Sequence, residues 1–118
     1  MYSERYATDE PTRSVVDAIH GAAVVEFGAP WCGHCIAAQP LVKSALSRHP
    51  GVQHLRIEDG RGRALGRSYR VKLWPTLVFM LDGSEVARLV RPTSAAEIQR
   101  AMEKIASPHR EAISAQFG

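Results

Sequence analysis

Two cysteines three positions apart, Cys32 and Cys35, follow closely on a short apolar run, Val24 to Phe27, and open a stretch with helical spacing. That placement constrains the chain more than any other feature. An apolar run of this length reads as a strand covered on both faces. Thiols at this spacing can reach each other across one helical turn. A helix start also favours negative charge, because its first N–H groups are unpaired and its dipole points at them. Cys32 is therefore read as an activated thiolate. A C-x-x-C that follows a strand, opens a helix and is preceded by Trp31 is a redox device rather than an incidental pair.

Composition narrows the alternatives. With 118 residues, 45% apolar and 23% charged, the chain is expected to form one globular domain with a real core. The net charge of +3 is spread along the sequence without blocks of like charge or interleaved aromatics, so nucleic acid is not an expected partner. Residues 1–11 lack the apolar centre of a signal peptide, and no stretch approaches a membrane span. If Met1 is the natural start, the expected compartment is the cytoplasm, with no membrane attachment. Two cysteines cannot build a multi-bridge secreted framework, and in a reducing compartment such a pair is catalytic. Zinc is disfavoured, since the histidines at 20, 34, 49, 54 and 109 supply no second paired motif. Haem attachment fails because Ile36 follows Cys35.

Along the chain, Val15, Val16 and Ile19 recur at helical spacing, with Asp9 or Thr12 as possible caps and Gly21 as the stop. Ile36, Leu41, Val42, Ala45 and Leu46 stripe a long second helix that contains Pro40, where a kink is expected. Val52 to Ile57 alternates as a strand, with His54 and Arg56 on one face. A short helix is expected near Ala64 to Tyr69, then a strand at Leu77 to Leu81. Asp82-Gly83 is a hairpin signal leading to an antiparallel partner at Glu85 to Val90. The last helix opens at Thr93 or Ser94 with Glu97 completing a capping box. The expected organisation is an arm at 1–11, a domain at 12–106 and a tail at 107–118. Its fold class is α/β, a mixed sheet with helices on both faces.

The residues Val25-Glu26-Phe27, Trp31-Cys32-Gly33-His34-Cys35, the run from Ala64 to Trp74-Pro75-Thr76, and Asp82-Gly83 together resemble the thioredoxin superfamily. The resemblance covers roughly residues 12–106. The Cys-Gly-His-Cys centre and Glu26 are more similar to protein disulfide isomerase domains than to ordinary thioredoxins. It implies the thioredoxin fold and a thiol–disulfide oxidoreductase, with Cys32 as nucleophile, Cys35 as resolving thiol and Pro75 as a cis proline facing the pair. It also implies a monomer with no bound cofactor beyond the redox-active Cys32–Cys35 disulfide. The partners would be disulfide-bearing proteins and a thioredoxin reductase drawing on NADPH.

Each further residue carries an expectation. His34 adds a switchable charge or hydrogen bond near the thiolate, against the alternative of an idle exposed residue. Gly33 joins it and Trp31 in shaping the active-site turn, with Trp31 packed there as a lid. Glu26, a carboxyl in an apolar strand, is expected to carry the Cys35 proton during exchange, against the alternative of pairing with a cation at His54 or Arg56. Trp74, Pro75 and Thr76 are expected to form the substrate groove, where backbone next to a flat indole suits an extended peptide. Gly28 stands where thioredoxins commonly carry tryptophan, and Arg91-Pro92 replaces the usual glycine. Arg88 or Arg91 could supply the mobile arginine of isomerases. The basic run Arg61, Arg63, Arg67, Arg70 and Lys72 reads as a solvated face, with a docking face for an acidic partner as the alternative. The competing functional class is an adaptor or co-chaperone that uses the groove near Trp74 and Pro75 without turnover.

Overall fold

The computed structural model describes residues 2–106. In chain order the elements are α1 (Arg13–Asp17), β1 (Ala22–Gly28), α2 (Gly33–Ser47), β2 (Gln53–Glu58), α3 (Ala64–Ser68), β3 (Thr76–Leu81), β4 (Ser84–Val90) and α4 (Ala95–Glu103). The sheet order is β2-β1-β3-β4. β1 pairs parallel with β2 and antiparallel with β3, and β3 pairs antiparallel with β4. This is the expected mixed sheet, and the tail expected at 107–118 lies outside the described residues.

The central strand explains the two layers. Side chains alternate across a strand, so Val24 joins Leu77 and Phe79 against α2 and α4, where Ala38, Val42, Leu46, Ile98 and Met102 complete one core. Ala23, Val25 and Phe27 face the other way, onto Val16 of α1 and Leu65 and Tyr69 beside α3. A fully buried Phe or Leu contributes about 1.5–3 kcal/mol, and both faces of β1 are filled this way. Period two puts Glu26 on the face that carries Val24, beneath α2.

Local signals account for the ends. Thr12, not Asp9, caps α1 by accepting from Val15 N–H. Ser94 and Glu97 form a complete capping box at α4. Asp82 (φ 50°) and Gly83 (φ 81°) turn the β3–β4 hairpin with both residues left-handed, the geometry a two-residue I′ loop requires. Asp82 also accepts from Gly21 N–H at 2.7 Å, tying the hairpin to the start of β1.

Residues 2–10 contain no helix or strand, yet they are stitched along β2. Ala7 N–H donates to Arg56 O at 2.8 Å, Ser3 N–H to His54 Nδ1 at 2.7 Å, and Arg56 Nη1 to Glu4 O at 2.8 Å. Tyr2 stacks on His54 with ring centroids 5.1 Å apart.

Candidate active site

β1 ends at Gly28, and four residues later Cys32 takes the N-cap position of α2. Its Sγ accepts the Cys35 backbone N–H at 3.3 Å, so sulfur does what a capping oxygen usually does. Cys32 N–H donates in turn to Ala29 O at 3.1 Å, closing the turn that aims the sulfur. Cys32 is 8% exposed and Cys35 1%, which makes Cys32 the thiol that an incoming sulfur can reach. Burial pushes the Cys35 thiol up to about 11, the Cys32 side chain adds to the rise, and the Ala29 backbone and Tyr6 hydroxyl pull the other way.

The two indoles meet across the site. Trp31 is 73% exposed and stands edge-on to Trp74, centroids 5.5 Å apart. It is therefore an exposed platform, not the packed lid expected of it, because the turn at 29–32 points it away from the core. Trp74 is fixed by donating from Nε1 to Asp59 Oδ2 at 2.9 Å and packs against the Ala29, Cys32 and Cys35 cluster. The Trp74–Pro75 peptide is cis. Thr76 is buried and donates to Leu73 O at 2.7 Å, which holds the loop entering β3. Arg91, at φ 50°, donates from Nε to Trp74 O at 2.8 Å, while its N–H donates to Pro75 O at 2.9 Å. Of the two nominated arginines, Arg91 stands at the site; Arg88 is held by Glu85 through two bonds of 2.8 Å.

His34 and Gly33 are exposed. Among the described residues His34 makes no hydrogen bond to either sulfur, and it shares a cleft of about 290 Å³ with Arg91 and Pro92. A side chain at Gly33 would meet nothing within 4 Å, so this glycine is not there to relieve crowding.

Glu26 is fully buried. The hydrogen bond it shares runs to His54 Nε2 at 2.8 Å, and Arg56 Nε lies 3.6 Å from its other oxygen. The competing arrangement, a carboxyl paired with the neighbouring strand, is thus present through Oε1, while Oε2 makes no hydrogen bond among the described residues. The register that sets Arg56 opposite Glu26 is the reason.

Two residues at the site escaped the sequence reading. Tyr6, from the arm, lies under the Arg56 guanidinium at 4.4 Å to its ring centroid and brings its hydroxyl to the Cys35 side of the pair. The available signal was two tyrosines, at 2 and 6, in an otherwise polar arm. Asp59, the anchor of Trp74, was also missed.

A fold of this topology, with a capped cysteine pair beside a cis proline, defines a thioredoxin-fold thiol–disulfide oxidoreductase. The comparisons agree: the Thioredoxin family model matches residues 5–104, and the chain belongs to that family. It is 33% identical over 85 residues to thioredoxin H-type 1 of Nicotiana tabacum, covering 72% of this chain and 67% of that one. It is 34% identical over 95 residues to protein disulfide-isomerase A3 of Gallus gallus, covering 80% of this chain and 19% of the longer protein. The structure of reduced thioredoxin 2 from Pseudomonas aeruginosa PAO1 superimposes with a TM-score of 0.80 at 52% identity, covering 89% of this chain and 97% of that one. Members of the family work through the cysteine pair without a prosthetic group.

Proposed function

We propose that the protein is a cytoplasmic, monomeric protein-disulfide reductase, recharged by an external NADPH-dependent reductase. The observation that carries it is Cys32 Sγ at the α2 N-cap, accepting a backbone N–H at 3.3 Å with Cys35 buried one turn behind. An anion at Cys32 is held by that N–H and the helix dipole. It attacks a substrate disulfide sulfur, forming the Cys32–substrate bond while the other substrate sulfur departs with the electron pair and is protonated. Cys35 then attacks Cys32, forming the intramolecular disulfide and expelling the second substrate sulfur. The substrate gains two electrons and the pair loses two. Trp31, Trp74 and the backbone around Pro75 and Thr76 give an extended substrate segment an apolar surface beside the sulfurs. A chain with no other cysteine suits a reducing compartment.

Dithiothreitol-dependent reduction of insulin tests the proposal. The wild type is expected to turn over and Cys32→Ser to be inactive; equal behaviour of the two would leave an adaptor in place of an enzyme. Coupling the assay to NADPH and a thioredoxin reductase tests the electron supply separately.

A further inference from the structure

Resting on the exchange chemistry proposed above, we propose that Tyr6 serves the resolving step: its hydroxyl donates a hydrogen bond to the Cys35 sulfur as that sulfur becomes the thiolate that attacks Cys32. Three observations converge on it. First, Tyr6 Oη is buried with no hydrogen-bond partner among the described residues. A buried donor left unpaired is destabilising, and an anion forming beside it removes that cost. Second, Gly28 keeps the space between the two groups open. A Cβ on Gly28 would lie 2.6 Å from Cys35 Sγ and 3.0 Å from Tyr6 Oη, so both atoms crowd the same point, and any larger residue there would push them apart. Third, the arm is held in register by the Ala7 bond to Arg56 O and by Arg56 over the Tyr6 ring, so the hydroxyl is placed before a substrate arrives.

The surroundings decide what this donor can do. Arg56 from β2, Glu26 from β1, Cys35 in the first turn of α2, and Glu4 and Arg5 of the arm are the charged or titratable groups around it, with Glu58 on the same cleft. Burial pushes the Tyr6 hydroxyl well above its ordinary value, so it keeps its proton and acts only as a donor. Glu26 bonds His54 through Oε1, and its Oε2, 3.6 Å from Arg56 Nε, makes no hydrogen bond among the described residues. A cleft of about 380 Å³ with Cys35 and Tyr6 in its wall opens beside the pair, giving the Cys35 proton a way out. In the step itself Cys35 loses its proton to solvent, the Cys35–Cys32 bond forms, and the Cys32–substrate bond breaks with the electron pair leaving on the substrate sulfur. Tyr6 is neither oxidised nor deprotonated. In the reverse direction the same hydroxyl stabilises Cys35 as leaving group.

Stopped-flow reaction of the reduced protein with Ellman's reagent separates the steps. Cys32 attack releases the first equivalent of thionitrobenzoate, and Cys35 attack on the mixed disulfide releases the second. Tyr6→Phe keeps the ring beneath Arg56 and removes only the donor. The second phase is expected to slow about tenfold or more, as loss of a hydrogen bond to a charged acceptor implies. Its pH midpoint should move upward while the first phase is unchanged. The carbon-13 shift of the Cys35 Cβ, followed against pH in wild type and Tyr6→Phe, reads the same thiol directly and should titrate higher in the variant. An unchanged second phase and an unchanged Cys35 titration would overturn the proposal. A wild type that releases only one equivalent would instead sink the exchange chemistry on which it rests.

Discussion

His54 donates from Nε2 to Oε1 of Glu26 at 2.8 Å, with both side chains out of contact with water. The direction of that bond follows from the arm. Ser3 N–H donates to Nδ1 at 2.7 Å, so Nδ1 is an acceptor and the ring proton sits on Nε2. A chain segment without regular structure thereby sets the tautomer of a core histidine, which in turn holds a carboxyl beneath α2.

Removing His54 should therefore be expensive. His54→Ala strands Glu26 with a single partner at 3.6 Å and removes the side-chain half of Ser3's attachment, leaving its Oγ bond to the residue 54 carbonyl. Leaving a buried acceptor unsatisfied costs about 1–3 kcal/mol, and urea unfolding of the reduced protein should show a loss of at least that size. Lys43→Ala removes a 3.0 Å pair with Glu4 whose partners are both more than half exposed; that variant should stay within about 1 kcal/mol of wild type. Equal losses would mean that the Glu26–His54 bond adds no more to stability than an exposed pair does.

The Cys35 thiol fixes the pH behaviour. Burial pushes it up to about 11, so the folded state keeps this proton where an unfolded cysteine, ordinarily near 8.5, has lost it. Between those values the folded state binds more protons than the unfolded one, and stability falls as pH rises. Reduced protein should lose stability from about pH 9 to pH 11 beyond any loss in the oxidised protein, which has no such proton. Thermal melts of both forms across that range check it. Iodoacetamide at neutral pH should modify Cys32 and spare Cys35, as peptide mapping would show.

Arg91 couples the hairpin to the substrate surface. A non-glycine residue at φ 50° is strained by roughly 1 kcal/mol, and its bond to Trp74 O offsets that strain. Arg91→Gly relieves the first and loses the second, so stability should change by less than about 1 kcal/mol. It also frees the Trp74 carbonyl to accept from an extended peptide. The expected outcome in insulin reduction is a lower KM with kcat little changed. A fall in kcat alone would place Arg91 at the sulfurs instead.

Much of this was legible in the residues themselves. The apolar run before Cys32, the capping box of Ser94 and Glu97, and Asp82-Gly83 each have a local cause, and each element appears where that cause put it. The cis bond at Pro75 was legible only through the family resemblance, since a local X–Pro signal favours trans. What failed depended on contacts between distant segments. Glu26 was visible as a buried acid with His54 and Arg56 as candidate partners, but the choice of His54 and its tautomer was set by the β1–β2 register and by Ser3, more than fifty positions from His54. Tyr6 was hidden for the same reason: nothing in a polar arm announces that Arg56 will fold it against the cysteines. The exposure of Trp31 follows from a turn whose direction no periodicity encodes.

Two glycines near the cysteines should respond oppositely to alanine, because one is crowded and the other is not. At Gly28 the new Cβ meets Cys35 Sγ at 2.6 Å and Tyr6 Oη at 3.0 Å. The first of these belongs to a short, buried side chain that has nowhere to retreat. Overpacking of this kind costs about 1–3 kcal/mol, so Gly28→Ala should unfold at lower urea, and its displaced Cys35 should slow disulfide closure as well. Gly33 is an exposed helix position with open space around it. Alanine there restricts the unfolded chain and suits the helix, by up to about 1 kcal/mol, and Gly33→Ala should be as stable as wild type or slightly more so. Urea midpoints of the two reduced variants decide the matter; a Gly28→Ala protein as stable as Gly33→Ala would show that Cys35 and Tyr6 have room the close approach denies them.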